Sequence, residues 1–282
     1  MSLDGAGEEI AEILRRMRLN AAAFIVTVYG DIAVPRGGVL WTGTLIELCG
    51  SAGINESLVR TAVSRLVAAE RLAGERIGRR SYYRLAEAAR AEFQQAADLL
   101  YGPDQPGRGW QVLHAPDLSP DDARRLRLGH MGGPVFIRPE RGQSPPPGAL
   151  VLHAGEVADP ARLAGFWDLS ALQEGYAEFI ASFSPLLAVA DEGGCRLADG
   201  DALTARLLLV HAYRHVLLRD PRLPQAALPA DWNGGEARGL FRRLYLALTP
   251  ATERHVAAHL EGTDGFLPAR TPESISRIPV VV

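Results

Sequence analysis

The chain has no lysine at all: its 30 basic residues are all arginine. Arginine's planar fork suits particular carboxylate and phosphate partners but cannot account for every surface position at once, so the bias reads as GC-rich codon usage. Cysteine is nearly absent too. Cys49 and Cys195 are too few for a disulfide framework or a thiolate metal cage. No apolar run approaches the roughly 20 residues that cross a bilayer. The N-terminal MSLDGAGEEIAEILRRMRLN is acidic before it is apolar and lacks a secretory core. A soluble, cytoplasmic protein with no membrane partner is expected.

What is present is a globular composition, 47% hydrophobic and 22% charged over 282 residues, which excludes wholesale disorder. That length suits two or three small cores better than one. Two Pro/Gly-rich stretches punctuate it. Gly102 to Gly109 (GPDQPGRG) reads as a linker, and Gly142 to Gly148 (GQSPPPG) as a long loop between short apolar runs. The expected fold class is a multidomain α+β protein with segments 1–100, 107–190 and 197–282. The net charge of −3 does not advertise a nucleic-acid partner, so any such activity must sit in a local patch.

The first segment reads as three helices and a hairpin. Ala21 to Tyr29 is an apolar helix ended by Gly30, and Val39 to Trp41 is a short strand. Thr42 caps a helix through Leu48 that Gly50 stops, and Asn55 caps another running to about Glu70. Gly74 and Gly78 mark turns around strand-like Glu75–Ile77 and Ser81–Leu85. On the helix after Asn55, Leu58, Val59, Ala62, Val63, Leu66, Val67 and Ala69 share one apolar face. Ser57, Arg60, Thr61 and Ser64 gather opposite them with Arg65 at the edge. Small hydroxyls between arginines let a helix approach a groove, with guanidiniums reaching base edges or phosphates.

Alone, such a helix would pass for an amphipathic helix with a solvated face. The preceding helix makes it a helix-turn-helix, and the hairpin adds a wing whose tip, Gly78-Arg79-Arg80, leads into Ser81, Tyr82, Tyr83 and Arg84. From Asn55 to Arg84 there are seven arginines (Arg60, Arg65, Arg71, Arg76, Arg79, Arg80, Arg84) against Glu56, Glu70 and Glu75, a local charge of +4. The candidate DNA contacts are therefore Asn55, Ser57, Arg60, Thr61, Ser64, Arg65, Arg79, Arg80, Tyr82 and Arg84.

The middle segment alternates. Trp110–His114, Pro134–Arg138 and Ala149–His153 read as strands, Ser119–Leu128 and Ser170–Phe183 as helices. That is the β-α-β-β-α order of a ferredoxin-like unit, with room for a further strand. The last segment is helical over Asp201–Leu218, Gly235–Leu248 and Pro250–Leu260. His211/His215 and His255/His259 have i, i+4 spacing, yet Ala212 and Val256 stand where a metalloprotease carries glutamate. They read as hydrogen-bonding histidines; neither a metal nor a cofactor is expected.

Three blocks together resemble the phenylacetic-acid-catabolon repressor (PaaX) family: Phe24 to Leu66, LLVHAYRHVLLRDPRLP (Leu208 to Pro224) and LPADWNGGEARGLFRRLY (Leu228 to Tyr245). The resemblance implies a dimeric transcriptional repressor binding a palindromic operator, released by an aryl-acetyl-coenzyme A thioester. It implies a recognition helix at Asn55–Glu70, a wing at Glu75–Arg84, and a phosphate contact from Arg36 in the Pro35-Arg36-Gly37-Gly38 turn. It also implies a middle domain similar to small CRISPR-associated nucleases. Those place an acid at the end of the first strand, where this chain has His114, with Asp117 the nearest carboxylate; one displaced acid is a poor two-metal site, so the middle domain reads as a dimerisation and ligand-sensing scaffold and a metal-dependent nuclease is only the second reading. Candidate effector contacts are Arg206, His211, Arg214, Arg219, Trp232 and Arg242, cations for phosphates beside an aromatic wall. The same arginines also suit surface ion pairs.

Overall fold

A computed structural model describes residues 3–104, 107–190 and 197–278; Cys195, part of the expected linker (105–106) and the last four residues lie outside them. The chain is a mixed α+β protein whose described residues hold eleven α-helices and three small antiparallel sheets. It divides into two compact units, one of residues 1–102, 179–214 and 238–282, the other of 103–178 and 215–237. The three consecutive segments read from the sequence do not each coincide with a unit, since the C-terminal segment contributes to both.

The first unit opens with α1 (Leu3–Arg16) and α2 (Ala21–Val28), which Asn20 caps by accepting from the Ala23 amide at 3.1 Å. Gly30 does not end this helix. The chain widens into a π turn (Tyr29–Ala33), tightens into a 3-10 turn (Val34–Arg36), and is released only by Gly37 at φ 94°. The wide turn carries Asp31, which is buried and bonded from several sides. Then follow β1 (Val39–Trp41), α3 (Thr42–Ser51), α4 (Glu56–Ala68), the hairpin β2 (Leu72–Ile77) and β3 (Arg80–Leu85), and α5 (Arg90–Tyr101).

Thr42 is not the cap of α3; its hydroxyl donates to the Ser81 carbonyl at 2.6 Å, fastening the helix start to β3. Gly50 lies within α3, and Gly53 at φ 77° supplies the left-handed turn that ends it. Gly74 is no turn either: it sits in β2 opposite Tyr83, whose ring would lie 2.9 Å from an added Cβ. The sheet order is β1-β3-β2, and Ile77 pairs with Arg80 across a two-residue turn in which Gly78 takes φ 61°.

The second unit carries a four-stranded sheet of β4 (Trp110–His114), β5 (Gly129–Gly132), β6 (Val135–Pro139) and β7 (Leu150–Ala154), ordered β5-β6-β4-β7 and antiparallel throughout. The added strand is Gly129–Gly132. Ser119 caps α6 (Pro120–Arg125), and Ala123 joins Leu113, Leu128 and Phe136 in a small core. A ferredoxin-like unit has a helix between its third and fourth strands; residues 140–149 make that link here without one.

Helices α7 (Ser170–Phe183), α8 (Pro185–Ala190), α9 (Asp199–Leu217) and α10 (Gly234–His259) follow, then β8 (Glu261–Gly262), β9 (Gly265–Phe266) and α11 (Pro272–Ser276). Pro250 does not divide α10 into two helices; the helix runs through it. Proline removes one ladder bond, and packing compensates for it: Leu248, Ala251 and Val256 are almost wholly buried. In the first unit these helices supply an aromatic column in which Phe241 stacks on Tyr213 with centroids 4.4 Å apart and also touches Tyr101 and Tyr245. Cys49 is buried there as a free thiol, and burial pushes its pKa up to about 12.

Candidate nucleic-acid interface

The buried side of α4 is narrower than its sequence implies. Val59, Ala62, Val63 and Leu66 are buried, whereas Val67 and Ala69 are exposed and Leu58 is 53% exposed. Leu58 instead lines a cleft of about 530 Å³ with Leu14, Met17, Leu19, Ile54 and Arg65. The opposite side keeps Ser57, Arg60, Thr61, Ser64 and Arg65 in solvent. Asn55 holds the start of the helix, accepting from the Leu58 amide at 3.0 Å, and Glu56 sits in the first turn. Asn55→Ala is expected to lower stability by about 1 kcal/mol, read from urea unfolding; a change below ~0.3 kcal/mol would show that packing alone sets the helix start.

The arginines of this patch fall into two groups. Arg60 is tethered to Glu56 at 2.7 Å, Arg71 to Glu92 at 2.5 Å, and Arg84 lies 3.9 Å from Glu75. Arg80 is held twice, by Glu261 at 2.5 Å and by stacking 4.4 Å from the Trp41 ring centroid. Arg65, Arg76 and Arg79 are exposed and have no ion-pair partner among the described residues, Arg76 donating only to the Gly78 carbonyl at 3.3 Å. They are the cations most ready to meet phosphate, because no carboxylate must first be displaced. Glu261 escaped the sequence reading, since nothing local links it to a strand 181 residues away.

Two expected contacts are corrected. Arg36 is 4% exposed, and its guanidinium donates to the carbonyls of Ile32, Pro268 and Ala269 at 3.0–3.3 Å. It ties the turn after α2 to the C-terminal segment and cannot reach a phosphate. Tyr82 is buried in β3, so its ring belongs to the core and not to the wing surface.

The expected effector residues are divided between the two units. Arg206, His211, Arg214 and Arg242 belong to the first unit, Arg219 and Trp232 to the second. Arg206 is 3% exposed and closed in an ion pair with Asp31, so it is no ligand contact. His211 Nδ1 meets the Thr27 hydroxyl at 3.0 Å, and Phe24 packs against its ring. Burial lowers the Arg214 pKa, opposed by Glu92. Trp232 meets the Tyr176 ring edge-on at 5.6 Å, and Arg219 is exposed. His114 and Asp117 are both exposed, and among the described residues no group of three or more His, Cys, Asp or Glu side chains is placed to hold a metal ion.

No helix among the described residues is long and apolar enough to cross a membrane. The profile of the PaaX-like protein matches residues 20–89, and that of the PaaX-like protein C-terminal domain matches residues 167–258. The first match contains α2 to β3, the second most of α7 to α10. A solved structure similar to this chain is that of the uncharacterized protein Rv0674 from Mycobacterium tuberculosis. The TM-score is 0.51 at 23% identity, covering 80% of this chain and 95% of that one, which shows a shared fold. The transcriptional repressor PaaX of Escherichia coli (strain K12) is 30% identical over 287 residues, spanning 92% of this chain and 90% of the relative. On the extent and identity of these matches, the chain belongs to the PaaX-like family.

Proposed function

We propose that this chain is a transcriptional repressor that binds duplex operator DNA through residues 1–100, with α3 and α4 as a helix-turn-helix and β2–β3 as its wing. The observation that carries this reading is the pairing of exposed, acid-free Arg65 on α4 with exposed, acid-free Arg79 at the hairpin tip, within a family whose E. coli member is named a transcriptional repressor. Ser57, Thr61 and Ser64 line the same face of α4 and donate to phosphate or base edges, while Arg60, Arg80 and Arg84 exchange their carboxylates for phosphate on contact.

A homodimer would present two such helices to successive major grooves. A small acyl-coenzyme A thioester that favours another dimer spacing would lower operator affinity by its differential binding free energy. Release by such an effector is the family's expected control, and of the expected contacts His211, Arg214, Arg219, Trp232 and Arg242 remain its candidates.

Duplexes selected from a random pool provide the test. In gel-shift titrations Arg65→Ala is expected to weaken the selected site by about 1–3 kcal/mol if it reads a base, while Arg79→Ala reduces the slope of log K against log salt by about 1 for every sequence. Unchanged affinity and slope in both variants would overturn the reading.

A further inference from the structure

In the second unit, three arginines from separate segments lie near enough for their charges to act on one another: Arg127 after α6, Arg141 after β6 and Arg222 after α9. Arg141 donates a guanidinium N–H to the Arg222 carbonyl, and Arg222 pairs with Asp104 at 2.6 Å. The Arg127 guanidinium is partly buried and has no hydrogen-bond or ion-pair partner among the described residues. Burial and then the charge of Arg222 push the pKa of both Arg127 and Arg141 down, so the three cations crowd one another.

The nearest buried acid is already committed. Asp220 accepts from the Tyr176 hydroxyl and from the Arg222 amide, each at 2.6 Å, and burial pushes its pKa up despite them. Asp104 is exposed and lies beside Arg222. Among the described residues three guanidiniums thus act on two carboxylates, one of them held toward its neutral form by burial.

The backbone singles out the same residues. Arg127 has φ 57° and Arg222 φ 56°, two of the three non-glycine residues with positive φ among the described residues. Arg127 occupies the left-handed position after α6, with the Leu128 amide bonded to the Ala123 carbonyl at 3.0 Å, where glycine is the unstrained choice. The Trp167 indole N–H donates to the Arg127 carbonyl at 3.0 Å and holds that turn. Side chains carried on strained backbone beside like charges are a mark of a binding position.

We propose that Arg127, Arg141 and Arg222 form a binding site for a phosphate or diphosphate group of a small molecule. A phosphate monoester carries close to two negative charges at neutral pH and several acceptor oxygens, which match guanidinium forks converging from different directions. A single carboxylate would leave part of the positive charge unmatched. The partly buried Arg127 is reached more readily by a small ligand than by the stiff backbone of a duplex. The site is independent of the DNA-binding reading, since none of its residues lies in 1–100.

The test is calorimetric titration of the full chain with inorganic phosphate and with inorganic pyrophosphate, alongside thermal unfolding. Saturable pyrophosphate binding and a raised Tm are expected, weakened about tenfold or more in Arg127→Ala and Arg222→Ala. Arg127→Gly separates binding from folding: it removes the cation and relieves the positive φ. This variant is expected to unfold at or above the wild-type temperature without ligand, and to lose pyrophosphate binding. Arg65→Ala, on α4, should bind pyrophosphate as the wild type does. Absence of saturable binding, or wild-type binding by Arg127→Gly, overturns the proposal. So does an Arg127→Gly variant that keeps pyrophosphate binding weak while reducing the salt slope of duplex binding, which would assign the cluster to nucleic acid.

Discussion

Arg206→Ala is expected to destabilise the first unit by about 3–5 kcal/mol, the usual cost of stranding one half of a buried ion pair. Arg206 and Asp31 are almost wholly buried. Arg206 donates Nε to Asp31 Oδ2 at 2.8 Å, Nη2 to Asp31 Oδ1 at 3.0 Å and Nη1 to the Thr249 hydroxyl at 3.0 Å, and it stacks 4.0 Å from the Tyr245 ring centroid. The Tyr101 and Tyr245 hydroxyls also donate to Asp31, at 3.0 and 2.9 Å. Burial alone would raise the Asp31 pKa, but the charge and hydrogen bonds of Arg206 outweigh it and hold the carboxyl below its ordinary value.

The sign of the pH dependence follows from that depression. The pair's contribution is fully present above the unfolded carboxylate pKa, near 3.9, and is lost as pH falls through the lower folded value. In the alanine variant the cation is gone, so Asp31 titrates upward and the gap to wild type narrows in acid. Urea unfolding at pH 7 and pH 4 measures both effects. A loss below about 1 kcal/mol at pH 7 would mean that water or a neighbour replaces the guanidinium. Combining Asp31→Leu with Arg206→Met is expected to recover most of the loss, because no uncompensated charge then remains buried.

This pair also shows where the sequence ceases to be legible. Asn55 and Gly78 announced their cap and turn because the chemistry of each is settled within three residues. The strands of both larger sheets were legible for the same reason, except β5, whose Gly-His-Met-Gly carries no apolar or β-branched run. Arg206 and Arg36 look like ordinary helix and turn arginines, and only partners 175 and 232–233 residues away bury them. Gly30 and Pro250 are usual helix ends, overridden by a buried carboxylate in a π turn and by a packed helix face. Leu58 follows the periodicity of an apolar face but borders a cleft that periodicity does not register. Arg127 and Arg222 were hidden for the opposite reason: their left-handed backbone calls for glycine, and an arginine there carries no local signal.

Phe241→Ala is expected to cost about 3–5 kcal/mol, the range for removing a large aromatic ring from a packed core. Phe241 is completely buried, stacked 4.4 Å from Tyr213 and within 5.6 Å of Tyr245, and Tyr213 in turn packs against Phe179 at 5.3 Å. Tyr245 and Tyr101 have hydroxyls committed to Asp31, so their rings cannot swing into the space without breaking those bonds. The cavity should therefore persist instead of collapsing, which places the cost toward the upper end. Phe241→Leu keeps most of the volume and is expected to lose less than half as much. Neither substitution touches α4 or the hairpin, so duplex affinity per folded molecule should equal that of the wild type at temperatures where the variant stays folded. Unfolding curves give the first quantity, and gel shifts corrected for the folded fraction give the second. An affinity loss exceeding the unfolded fraction would show that this column shapes the DNA-facing surface as well as supporting its fold.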